Sequence, residues 1–337
     1  MAELLNRAVE LDAYGAPEAL RIVDLPVPTA RAGEVRVRVL ASSINYTETL
    51  IRRHLYPQTA AYKLPFVMGY DVVGEIDQLG PGVTGVNIGD RVADMTVVGS
   101  DATFRILRAK DLTLVPAEVD VAEAATLILS WTTAYQLLHR SAKVRPGQRI
   151  LVHGAGGAVG QALLALVKIA GVASWGAAHG KHAALIVDLG ATPIDYDRED
   201  FTRVLPGGFD VVFDGIGEDG YRRSFAALRR GGLLVAIGYS AGAEARQGMV
   251  AALANIARMY LWGWTPGGKR TRFYSINVMR ARHPDWFKQD LAYLFELLKE
   301  GRIRPKIAER IAFEQVVEAH RRLEAGGLEG KLVLCPA

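Results

Sequence analysis

The sequence predicts an α/β protein in which a doubly wound parallel-sheet domain is inserted into a smaller, mainly antiparallel β domain. Three observations predict this. Residues 1–120 hold short β-type runs such as Val35-Arg36-Val37-Arg38-Val39, broken by turns at Ala32-Gly33-Glu34, Gly80-Pro81-Gly82 and Ile88-Gly89-Asp90; apolar and polar positions that alternate between turn residues define half-buried antiparallel strands. From residue 121 onward strands alternate with helices, which requires crossover connections and a parallel sheet covered on both faces. After Gly301 the pattern returns to that of the first part, so the middle is an insertion.

In order, a helical stretch over Ala122–Arg140 leads to a strand at Arg149–His153, a helix at Ala158–Ile169, a strand at Ala173–Trp175 and a helix at Lys181–Leu189. Strand Phe209–Phe213, helix Tyr221–Leu228 and strand Leu233–Ile237 follow. Met249–Met259 reads as a helix, and the stretch with Trp262-Gly263-Trp264, Pro266-Gly267-Gly268, Lys269, Arg270 and Arg272 as an irregular loop. Trp286, Leu291, Leu294, Phe295 and Leu298 recur at helical spacing within Asp285–Leu298. A strand at Ile303–Ile307, a helix at Phe313–Ala325 and a strand at Lys331–Leu334 complete the pattern. The expected division is residues 1–120 with 302–337 in one domain and residues 121–301 in the other.

Composition narrows the function classes. A length of 337 residues, 50% hydrophobic and 23% charged, supports about two domains and a sizeable core. Its 40 basic and 36 acidic side chains leave +4, without the like-charge blocks that mark nucleic-acid or membrane-surface tails, so no nucleic-acid partner is expected. Cys335 is the single cysteine, which removes disulfide frameworks and zinc sites built on several thiolates and fits a reducing cytoplasm. Met1–Glu10 holds no apolar signal region, and no stretch reaches the ~18 apolar residues of a membrane span, so a soluble, unsecreted protein is expected.

The sharpest chemical signal is the run Gly154-Ala155-Gly156-Gly157-Ala158-Val159-Gly160 between a strand and an apolar helix. Glycines there let a pyrophosphate approach the amides at the positive helix N-terminus, which is dinucleotide chemistry. The spacing is A-x-G-x-x-G, with Ala155, Gly157 and Gly160 in register. About 20 residues on, an NAD-selective protein places an acid for the ribose 2′-hydroxyl. Here the chain reads Ala177-Ala178-His179-Gly180-Lys181; Lys181, with His179, attracts a 2′-phosphate that an acid would repel, favouring NADPH.

Together with Gly89-Asp90-Arg91-Val92, Trp131-Thr132-Thr133-Ala134-Tyr135 and Leu189-Gly190-Ala191, these residues resemble the medium-chain dehydrogenase/reductase superfamily, and within it the zinc-free quinone oxidoreductase (zeta-crystallin-like) branch. The resemblance extends through Asn45–Arg52, Phe209–Asp214, Gly231-Gly232 and Glu329–Val333. It implies a GroES-like catalytic domain split around a Rossmann domain, NADPH as cofactor and a homodimer. Lys181 and Tyr196 fall where the family holds the 2′-phosphate, although Tyr196 reads equally as a packed aromatic. Ala178 stands where relatives often carry a hydroxyl, and Ala158 where the turn usually has glycine. Zinc-dependent members carry a Cys, a Gly-His-Glu and a four-cysteine lobe. Here Ser43-Ile44-Asn45-Tyr46 and Gly69-Tyr70-Asp71 stand in the first two places and the lobe is missing, so no metal is expected.

Hydride transfer without a metal leaves the protein to position the acceptor, exclude water and donate hydrogen bonds where negative charge develops. A quinone or an α,β-unsaturated carbonyl compound suits this chemistry as the small electrophilic substrate. The candidate donors are Asn45, Tyr46 and Tyr56, with Tyr70 behind them; each reads alternatively as a loop brace or wall residue. Thr132, Thr133 and Gly238-Tyr239-Ser240 are expected to line the nicotinamide, because ligands bind at the carboxyl ends of parallel strands. The Trp262–Phe273 stretch offers either an anionic-acceptor pocket around Arg272 or ordinary packing. An enoyl-thioester reductase and a non-catalytic NADPH-binding protein are the competing functions.

Overall fold

The computed structural model describes residues 4–217, 219, 221–238, 254–264 and 267–336. Two compact units emerge, one formed by Met1–Leu129 with Pro284–Ala337 and the other by Ser130–His283. The division thus falls earlier in the chain at its second crossing than the expected residue 302, and later at its first. Helix Pro284–Lys299 belongs with the first unit: Lys288 Nζ donates to the Lys110 carbonyl at 3.0 Å, and Lys299 pairs with Glu118 at 3.3 Å.

The first unit is mainly antiparallel. Strand Leu5–Leu11 lies between Leu20–Pro26 and Phe66–Val67. A larger sheet runs in the order Ile307–Ile311, Lys331–Leu334, Glu34–Ser43, Asp71–Leu79, Arg91–Met95, Thr113–Leu114, with Phe104–Arg108 also paired to Glu34–Ser43. Strand alternation sends Val35, Val37 and Val39 into a core with Val72, Ile76, Val92 and Leu107, while Arg36 and Arg38 meet Asp77 and Glu75 across the ladder. The strand expected at Ile303–Ile307 begins only at Ile307. Pro305 stands just before it and offers no amide to a ladder.

The second unit is a six-stranded parallel sheet in the order Thr192–Asp195, Ala173–Ala178, Arg149–His153, Phe209–Asp214, Leu228–Ile237, Arg270–Tyr274. Numbered within the unit this is 3-2-1-4-5-6, the doubly wound order of dinucleotide-binding folds. Its core includes Leu151, Ala177, Phe209, Val212, Leu234 and Ala236. Two strands are additions to the sequence reading: Thr192–Asp195, and Arg270–Tyr274 within the stretch expected to be an irregular loop. The helical stretch from Val121 is interrupted by wider, π-type turns at Leu127–Trp131 and Gln136–Ala142. Of the helix expected at Met249–Met259, residues 254 onward are described and helical; the rest lies outside the described residues.

Candidate active site

In the second unit the strand order reverses between Arg149–His153 and Phe209–Asp214, the switch point at which ligands bind in such sheets. The glycine turn leaves the first of these strands. Gly154 has φ +90°, so the demand for glycine falls there and Ala155, fully buried, satisfies its own position. The Gly154 and Ala155 amides donate to the Ala177 carbonyl at 3.0 and 3.1 Å, pinning the turn to the neighbouring strand. Gly160 is a packing glycine, since a Cβ there would fall 2.7 Å from Ala155 Cα. Gly156 faces the His182 ring, 2.6 Å from where its Cβ would be. Gly157 is the N-cap of helix Ala158–Ile169 and carries no side chain to cap it. The first amides of that helix, including Ala158 and Val159, therefore have no intrahelical acceptor and present a positive helix end.

Ala178, His179, Lys181 and Tyr196 gather at the ends of two neighbouring strands. Ala178 pairs with Asp195, and the Tyr196 amide donates to the Ala178 carbonyl at 3.3 Å. Lys181 is exposed, and Tyr196 is 39% exposed with its ring against His153. His179 acts as a cap: its Nδ1 accepts from the Lys181 amide at 3.1 Å, and its Nε2 lies 3.7 Å from Asp197. Acids therefore do stand near this turn. Asp195 ends the third strand and Asp197 follows it, beyond the end of the second strand where an acid is looked for.

Asp214 ends the fourth strand at the switch point. Burial alone would raise its carboxyl, but His153, the Ser224 hydroxyl at 2.6 Å and the Gly217 amide at 3.0 Å hold it below the usual carboxylate range. Thr132 and Thr133 are buried in a helix that packs on Ala158–Ile169. Gly238, at φ +56°, follows the fifth strand and donates its amide to the Tyr274 carbonyl at 2.8 Å. Tyr239 and Ser240 lie outside the described residues. The stretch near Trp262 is engaged in packing. Arg272 donates to the Ser141 carbonyl, Lys269 donates to the Phe225 carbonyl at 3.0 Å, and Trp262 stacks against Phe225.

In the first unit Asn45 caps helix Tyr46–Arg52 and is only 2% exposed. Its amide nitrogen donates to the Ser43 carbonyl at 2.7 Å and to Asp71 at 2.9 Å, and its oxygen accepts from Lys331. Its backbone N–H donates to Glu48 at 2.5 Å. Asn45 is thus a buried strut with its polar atoms engaged inside the unit. Around it lie three buried carboxylates. Burial pushes Asp101 up to about 7, with Ser42 opposing and Asp71 adding to the rise. Burial and then Asp101 push Glu48 well above the carboxylate range. Asp71 is raised by burial in spite of Lys331 and Ser43. Burial in turn pulls Lys331 below the usual lysine range. The sequence names Asn45 as a candidate and gives Lys331, Glu48 and Asp101 no role, since only the fold brings them together.

The tyrosines differ in placement. Tyr46 opens the helix at 38% exposure, whereas Tyr56 and Tyr70 are buried with their phenol oxygens 2.6 Å apart. A phenol whose neighbour is a second phenol can pass its proton outward while accepting one from behind. Among the described residues no three His, Cys, Asp or Glu side chains come together to hold a metal ion. Nor is any described helix long and apolar enough to cross a membrane.

A parallel sheet in this order, with a glycine turn at its switch point and an antiparallel unit built from the chain segments that precede and follow it in sequence, defines a two-domain, dinucleotide-dependent oxidoreductase scaffold. Residues 31–112 match the alcohol dehydrogenase GroES-like domain, and residues 189–334 match a model described as zinc-binding dehydrogenase. The quinone oxidoreductase of Pseudomonas aeruginosa is 30% identical over 98% of this chain and all of its own length. A 2-haloacrylate reductase from Burkholderia is 26% identical over 96% of both chains. The crystal structure of Escherichia coli quinone oxidoreductase complexed with NADPH superposes with a TM-score of 0.85 at 26% identity, covering 98% of this chain and 100% of that one. The chain belongs to the quinone oxidoreductase branch of the medium-chain dehydrogenase/reductase superfamily.

Proposed function

We propose that the protein is a zinc-independent, NADPH-dependent reductase of quinones or α,β-unsaturated carbonyl compounds. The observation that carries this is the uncapped helix end behind the Gly154–Gly160 turn, with exposed Lys181 at the neighbouring strand end. The residues fit the cofactor: Gly157 leaves the backbone bare at the turn, and the Ala158 and Val159 amides suit a pyrophosphate. Ala178, His179, Lys181 and Tyr196 would border the 2′-phosphate, and Thr132, Thr133 and Gly238 the nicotinamide. NADPH supplies the hydride when bound. The protein supplies the proton and the oxyanion contact. Tyr56, backed by Tyr70, donates to the oxygen on which negative charge develops, and Tyr46 borders the acceptor. Asn45 holds the helix that carries Tyr46. The quinone and haloacrylate specificities in the names of relatives, and the NADPH held by the Escherichia coli structure, support this reading.

A homodimer is supported by Arg270–Tyr274, which ends its sheet, and by Leu261 and Trp264 at 67% and 90% exposure close to it in sequence. The cytoplasm is supported by the lone cysteine.

The test is NADPH oxidation followed at 340 nm against quinones, enones, enoyl thioesters and simple ketones. Turnover is expected with the first two classes, and Tyr56→Phe is expected to lower kcat by about 10²–10⁴-fold while NADPH affinity stays within twofold. Tight NADPH binding with no turnover on any acceptor would remove the catalytic reading.

A further inference from the structure

The turn after the second strand receives a carboxylate from the strand beside it. Ala178, the last residue of the second strand, pairs in register with Asp195, the last residue of the third. A Cβ placed on Gly180 would fall 2.5 Å from Asp195 Oδ2, so that oxygen lies directly behind the His179–Lys181 turn. The other oxygen, Oδ1, accepts the Asp197 amide at 3.2 Å. Oδ2 lies 3.6 Å from Arg198 Nε, whose side chain is 86% exposed and sheds much of its attraction to water. Asp195 itself is 22% exposed. One carboxylate oxygen thus builds the turn and the other faces the place where the second strand ends.

We propose that Asp195 provides, from the third strand, the acid that dinucleotide sites usually carry on the second, and that it restrains the preference for a 2′-phosphate so that NADH is accepted beside NADPH. This rests on the cofactor reading above. A carboxylate accepts a hydrogen bond from a ribose 2′-hydroxyl and repels a 2′-phosphate, whereas Lys181 attracts the phosphate. Opposed charges at one turn leave a smaller discrimination than either residue alone would set.

Asp195→Asn tests this with little change of shape, because the Asn oxygen still accepts the Asp197 amide. Titration calorimetry of the full chain with 2′,5′-ADP and 5′-ADP reads the adenosine end without turnover. Asp195→Asn is expected to tighten 2′,5′-ADP by about 5–10-fold at low salt and to leave 5′-ADP unchanged or weaker, with the shift shrinking as salt rises. Asp195→Ser, whose hydroxyl can also accept that amide, should move the ratio the same way. Asp197→Asn, which removes an equal charge beside His179, should move it by less than about twofold. An unchanged ratio in both Asp195 variants, or an equal shift in Asp197→Asn, overturns the assignment while leaving the cofactor reading in place. Binding of neither nucleotide by the unaltered protein overturns both.

Discussion

His320 is fully buried, and neither of its ring nitrogens has a hydrogen-bond partner among the described residues. Burial, aided by the nearby Arg52 guanidinium, pulls it down to about 3. The folded protein therefore holds it neutral while the unfolded chain protonates it below about 6.5. With the folded value depressed, stability falls as pH drops from there toward 3, by up to about 1.4 kcal/mol per pH unit. His320→Leu is expected to raise the melting temperature, with a gain that grows between pH 7 and pH 5; a constant gain over that range would refute the linkage. Nothing in the sequence singles this histidine out, because its isolation depends on how its helix packs. Asn45 teaches a related lesson. The sequence points to Asn45 as a candidate, but the orientation of its amide depends on Asp71 and Lys331, which no local pattern connects to it.

Elements were legible where burial imposes a period. Val35, Val37 and Val39 mark one face of a strand, and the apolar run after Gly157 marks the helix behind the glycine turn. They were not legible where a strand lies at a sheet edge. Arg270–Tyr274 and Thr192–Asp195 flank the parallel sheet and bury few side chains, so their apolar signal is faint. The glycine turn belongs to this scale because it joins strand to helix. Gly160→Ala would press a methyl onto the Gly154–Ala155 backbone, which cannot swing aside as a side chain can. A loss of about 1–3 kcal/mol in denaturant melts is expected, with weakened NADPH binding. Unaltered stability and affinity would show that the turn tolerates a wider approach.

For the whole molecule, the insertion of one unit into the other was readable from the change of rhythm along the chain, whereas its limits depend on where helix Pro284–Lys299 docks. Assembly belongs to the same scale. Sedimentation should give twice 36.6 kDa, and Leu261→Glu combined with Trp264→Glu should bring the mass down to 36.6 kDa. A monomer before substitution would refute the dimer. The contact between Lys331 and Asn45 spans 286 residues and also orders events during synthesis. A ribosome releases residues 130–283 as one uninterrupted unit, able to acquire its sheet while the later segment is still being made. The first unit must wait. Until Lys331 emerges, Glu48 and Asp71 lack the ammonium that balances them, and Glu34–Ser43 lacks the strand that pairs with it at Ser42 and Ser43. The nascent chain is thus expected to mature from its middle outward, with the segment around Asn45 the last part to set.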